Sequence, residues 1–186
     1  MQRIVIVYGL IAGFIASVLL SLWMYFFHQG IVNLDNGELV GYGSMIIALS
    51  MVFFGVRSYR DNQNGGVISF WKGVKVGLLI SLIAAVVYAV GWEIYMLISP
   101  DTVNRFFDSY TEHALNKLRE GGATPEEMER TIHEMAGFRE MYKNPLIRLG
   151  MTMVEILPVG VVVTFVSAAL LRKKEMLPSP ERVTSG

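Results

Sequence analysis

Apolar residues fall in four long runs, at about residues 4–27, 39–56, 74–98 and 146–171. Each exceeds or approaches the roughly 18 residues that mark a membrane-spanning helix. The pattern therefore predicts an all-α integral membrane protein with four transmembrane helices. The second run is the shortest. At about 18 residues and 1.5 Å each it covers about 27 Å, just enough for the hydrocarbon core. Between the third and fourth runs the pattern changes. Val103, Phe106, Phe107, Tyr110, Ala114 and Leu118 share one helical face, and Gly121-Gly122 then stops the helix. Thr124-Pro125-Glu126-Glu127 reads as a capping box with Pro at the first helical position. Met128, Ile132, Met135, Phe138 and Met141 supply the apolar side of a second helix, which Asn144-Pro145 ends. Residues 99–145 are thus expected to form an amphipathic helical hairpin, folded on itself or lying on the membrane surface. Residues 1–174 form one transmembrane domain in this reading, and 175–186, with two prolines, a disordered cytoplasmic tail.

Small residues add detail within the runs. Gly73, Gly77, Ser81, Ala85 and Ala89 repeat at a spacing of four, and Glu93 comes next at that spacing. Gly9, Gly13, Ser17 and Ser21 repeat likewise in the first run. Such ridges let helices approach closely, so the first and third helices are expected to touch through them, crossing right-handedly.

Composition agrees with lipid as the main solvent. The chain has 186 residues, 53% hydrophobic and only 17% charged, with a mean hydropathy of +0.45; a soluble domain is nearer a quarter charged. Sixteen basic and sixteen acidic residues cancel, so nothing points to nucleic acid. The absence of Cys excludes disulfides, thiol catalysis and Cys-based metal sites. The first run, at about 24 residues, is too long for a signal h-region of roughly 7–15. It ends in Trp23, Tyr25, Phe26 and Phe27 with no small-residue cleavage site, so it reads as a retained helix with an aromatic belt.

Charge gives the orientation. Arg3, Arg57, Arg60, Lys72, Lys75, Arg172, Lys173 and Lys174 flank the helices at one end, with 57–66 read as a basic turn. The loop 28–38 has acids and no Lys or Arg, and the hairpin is richer in acid than base. Both termini are expected in the cytoplasm and the hairpin outside.

Two acids interrupt the runs. Glu93 sits about five residues from the end of its helix, about 8 Å deep; Glu155 sits about nine residues in, about 14 Å deep. A charge near the bilayer centre costs roughly 2.5–3.5 kcal/mol, so each acid needs a partner, water or a proton. Arg148, Thr152 and Glu155 share a face of the fourth helix, Arg148 near the depth of Glu93. Pro158 frees the carbonyl of Val154 beside Glu155. Glu93, Arg148, Thr152, Glu155 and Pro158 are the candidate intramembrane polar site. They form either a polar, proton-linked pathway or a structural Glu93–Arg148 pair with Glu155 protonated or bonded to a hydroxyl. Glu129 and His133, four apart, offer a two-ligand face with no third ligand evident. Trp23, Trp71 and Trp92 read as belt residues. No catalytic residue, cofactor or metal is expected, and no nucleophile–base pair or phosphate-binding loop is visible.

Several short motifs carry a resemblance. They are Gly66-Val67-Ile68-Ser69-Phe70-Trp71-Lys72-Gly73, Gly121-Gly122-Ala123-Thr124-Pro125-Glu126-Glu127, Tyr142-Lys143-Asn144-Pro145 and Glu155-Ile156-Leu157-Pro158-Val159-Gly160. In this order and spacing the chain resembles the bacterial four-helix membrane proteins catalogued as domain of unknown function 4199. The resemblance covers nearly everything but the tail. It implies the four-helix architecture and a bacterial inner-membrane location, with no activity or ligand to carry over. Two functions compete. One is a membrane accessory or interaction protein that uses its external hairpin. The other is a small proton-coupled transporter or channel that uses the outer-leaflet acids. The expected partner is the lipid bilayer; another membrane or periplasmic protein and a second copy of the chain are further candidates.

Overall fold

The computed structural model describes residues 1–32, 34 and 37–172, with Glu38 described by its backbone only. Much of the turn at 33–37 and the whole tail at 175–186 lie outside the described residues. Six helices follow one another: α1 Gln2–His28, α2 Gly37–Gln63, α3 Phe70–Ile98, α4 Pro100–Glu120, α5 Pro125–Tyr142 and α6 Pro145–Leu171. Four of them, α1, α2, α3 and α6, are long and apolar enough to cross a membrane, the fold of a multi-pass membrane protein.

Two helix ends differ from the hydrophobic pattern. α2 runs on past Arg57 to Gln63, where a basic turn is expected. The apolar signal stops at Val56, but Arg57 and Arg60 both pair with Asp61 and stay compatible with a helix beyond the apolar layer. The helix stops only before Gly65 and Gly66, both at positive φ. α3 likewise begins at Phe70, because the Ser69 side chain accepts from the Lys72 N–H and caps the helix.

α3 is the central helix. Just over half of its apolar segment (56%) is buried, against 28% for α1 and 33% for α2 and α6. It packs on α1 along one side and on α6 along the other, and α2 closes the bundle against α1 and α6.

The glycines show how. A Cβ on Gly9 would stand 2.7 Å from the Cβ of Ile83, and one on Gly13 would stand 2.5 Å from the Cβ of Val87 and 2.8 Å from the Ala84 carbonyl oxygen. A Cβ on Gly91 would collide with Ser17. Positions rise together along both helices, so α1 and α3 run parallel.

The expected ridge-to-ridge contact between them is half corrected. The small ridge of α1 does meet α3, but on Ile83, Ala84, Val87 and Gly91. The ridge of α3 faces α6 instead. Gly73 abuts Ala168, Gly77 abuts Thr164, and Ser81 abuts Gly160. Each step of four up α3 matches a step of four down α6, so the pair is antiparallel. Gly160, Thr164 and Ala168 are a third small-residue ridge, and Ser81 bonds to the Gly160 carbonyl and to the Thr164 hydroxyl.

The hairpin is folded on itself and docked on the bundle. Pro100 opens α4, and Thr124 and Glu127 form the expected capping box on α5. Gly122, at φ +77°, turns the chain between them. Arg139 donates to Asp108 and Asn104 across the pair, while Phe107 meets Phe138 and Tyr142. Val103 is buried with Met24 and Trp92, which pins α4 to α1 and α3.

Candidate functional site

The register that packs the α3 ridge on α6 also assembles the polar site. One step of four beyond Ala89 is Glu93, and one step before Thr152 is Arg148. The same register brings these two together. Arg148 Nε donates to Glu93 Oε1 at 2.6 Å, and its Nη2 donates to the other carboxylate oxygen. The fork is therefore bidentate, the geometry that suits a guanidinium and a carboxylate best. The third nitrogen, Nη1, donates to the Tyr142 carbonyl at 3.0 Å, and the guanidinium lies over the Tyr142 ring. Both partners are largely screened from solvent, with side chains 12% and 20% exposed. Arg148 thereby ties α3, the end of α5 and the start of α6 into one knot.

Tyr142 is held from a second direction. The Trp92 indole N–H donates to its hydroxyl at 2.6 Å. Burial pushes the Tyr142 phenol up to about 12, so it stays neutral through the physiological range.

Glu155 is placed differently. It has no ion pair or hydrogen bond among the described residues. It lines a cavity of about 590 Å³ at the hairpin end of the bundle. α1, α2, α3 and α6 form its walls, and α4 lies across it with Phe106, Tyr110, His113 and Lys117. Trp23, Tyr42, Tyr88, Trp92 and Tyr142 add aromatic surface, and Ser44 and Thr152 add hydroxyls. The Thr152 hydroxyl donates back to the Arg148 carbonyl, so it is already engaged. The Trp23 indole nitrogen is buried with no hydrogen-bond partner among the described residues.

Of the five candidate residues, Glu93 and Arg148 form one pair, and Thr152 and Glu155 line the cavity. Pro158 lies farther along α6, exposed and away from the cavity lining, and the helix continues through it. Two of the belt tryptophans are reassigned. Trp92 is buried and Trp23 is half-buried on the cavity, whereas Trp71 is 72% exposed as a belt residue would be. The sequence signal for Trp92 was available: it follows Ala84 and Tyr88 at a spacing of four, on a face that continues the packed side of α3. Glu129 and His133 sit exposed on α5, and no group of three potential ligands forms among the described residues.

No curated protein and no solved structure matches the chain. One family does match, over residues 8–173, and its description is a protein of unknown function, DUF4199. That span takes in all four apolar helices and the hairpin, so the chain belongs to the DUF4199 family.

Proposed function

We propose that this is an inner-membrane accessory protein that presents its hairpin, on the extracytoplasmic side, to another membrane or periplasmic protein. Both termini are cytoplasmic in this reading. Its support is the charge distribution: Arg3, Arg57, Arg60, Lys72, Lys75 and Arg172 belong to the end opposite the hairpin, where Arg60 also reaches the Leu171 carbonyl at 3.5 Å. Basic flanks of short loops stay on the cytoplasmic side.

One observation carries the accessory role. α4 is anchored to the bundle, whereas α5 has no buried residue and shows Glu126, Glu129, His133 and Glu134 outward. A helix held at its end by Tyr142 and along α4, with a charged face left exposed, is a surface for a partner rather than for lipid. A photo-crosslinking side chain at His133 should give one discrete adduct in intact membranes, and the same group at lipid-facing Ile47 should not. Equal labelling from both positions, or none from His133, would remove the accessory role. Impermeant thiol reagents test the orientation: Gly137→Cys should be labelled from outside intact cells and Asn62→Cys should not. The reverse pattern would invert the topology.

The transporter or channel reading has Glu155 in its favour, since that acid opens onto the cavity. Against it stands the other half of the bundle, where Ala48, Val52, Ile80 and Ala84 have no exposure at all. Transport would require those helices to part. Proton-linked flux in liposomes, lost in Glu155→Gln, would favour this reading over the first.

A further inference from the structure

The cavity under α4 has a composition that selects a class of ligand. Among the described residues its carboxylate is Glu155, which is exposed and lines the cavity. Arg148, two turns earlier on α6, is committed to Glu93 and to the Tyr142 carbonyl. Lys117, on α4, lines the same cavity without reaching any carboxylate in an ion pair among the described residues. The same cavity is lined by aromatic residues of four helices: Trp23, Tyr42, Tyr88 and Trp92, with Tyr110 from α4. Aromatic faces attract cations through their quadrupole, most strongly where water is scarce. They cannot replace an ion pair for an inorganic cation, which keeps its water, but they suit a cation clothed in methyl or methylene groups. A carboxylate without an ion pair among the described residues, lining the same cavity as these rings, is complementary to an organic cation.

We infer that this cavity binds an organic ammonium group, held between the Glu155 carboxylate and the aromatic walls. At about 590 Å³ the space admits a small amine or a lipid headgroup of that chemistry. A soluble amine and the ammonium of a membrane lipid are the two sources. This inference is independent of the accessory role and of the orientation of the chain.

The test uses the full chain in detergent, titrated with choline and, separately, with its neutral isostere 3,3-dimethylbutan-1-ol. Trp23 and Trp92 border the cavity and Trp71 is remote, so tryptophan emission reports occupancy. Choline should give a saturable change and the isostere none. Glu155→Gln should weaken choline binding at least about tenfold. Tyr42→Leu, at a half-exposed position that carries little of the packing, should weaken it about threefold. The Tyr42 variant keeps the inference open to refutation if the Glu155 variant does not fold. Nanodiscs with and without phosphatidylethanolamine distinguish the sources: loss of the choline response only when that lipid is present assigns the site to a headgroup, and an unchanged response assigns it to a soluble amine. Equal binding of choline and its isostere would overturn the inference, as would no binding of either in detergent or undiminished choline binding by a folded variant.

Discussion

The two ends of the bundle are built on one register and behave oppositely. At the basic end, the α3–α6 seam is made of Gly73 on Ala168, Gly77 on Thr164 and Ser81 on Gly160, and the backbones come close. At the hairpin end the same steps of four arrive at Glu93 and Arg148, while Tyr88 and Trp92 stand on the neighbouring face. Large and charged side chains hold space that small ones close, so the end that carries them contains the cavity. Sealing and opening are thus properties of residue size along one continuous ridge, with no change of fold between them.

Breaking the sealed end should have the largest effect. Gly13→Leu has nowhere to go, because Ala84 presents backbone at 2.8 Å, and Gly77→Leu meets Thr164 at 2.6 Å. Each should cost about 3 kcal/mol or more by overpacking, read as loss of folded protein on thermal unfolding in detergent. Gly137→Leu, with open space around it in the interior of α5, should cost nothing and should gain up to about 1 kcal/mol.

The ion pair at the open end comes next. Arg148→Ala should cost about 2–3 kcal/mol, because it leaves Glu93 without its partner. Adding Glu93→Ala should restore part of that loss, and simple additivity in a double-mutant cycle would show that the pair is not coupled.

A smaller effect is expected at Tyr142. Tyr142→Phe removes the acceptor for Trp92 and should cost about 1 kcal/mol, with faster proteolytic nicking of the hairpin. The fold favours the neutral phenol and holds its pKa up to about 12. This contribution is therefore full below the ordinary phenol value of about 10 and is lost as pH rises beyond it. The parent should lose stability there more steeply than Tyr142→Phe. A gain rather than a loss is expected at Gly43, which has no neighbour within 4 Å. Gly43→Ala should stabilise α2 by about 0.5–1 kcal/mol.

The spans, the hairpin and its capping box were legible because hydropathy, turn residues and caps are local signals. The partner of the α3 ridge was not. Two small ridges, in α1 and α3, match each other in spacing, whereas Gly160, Thr164 and Ala168 form a shorter ridge interrupted by a larger, branched threonine. The acid and base supply the stronger clue: Ser81 to Glu93 and Gly160 back to Arg148 are both three steps of four, so only the α6 register satisfies the pair. The cavity was not legible, since it exists only where α4 folds back over four other helices. Trp23 and Trp92 sit at the same depth as belt residues, and only the direction of their side chains separates the two roles.

The central claim, that the small-residue ridge of α3 seals against α6, is open to one direct measurement. The chain has no cysteine, so introduced pairs report without background. A Cβ at Gly73 would lie 3.1 Å from the Cβ of Ala168, a few tenths of an ångström short of the roughly 3.5–4.5 Å a disulfide spans. Gly73→Cys combined with Ala168→Cys should cross-link readily in membranes under mild oxidation, and Gly73→Cys combined with Val5→Cys on α1 should not. Efficient cross-linking to α1 and none to α6 would contradict the account.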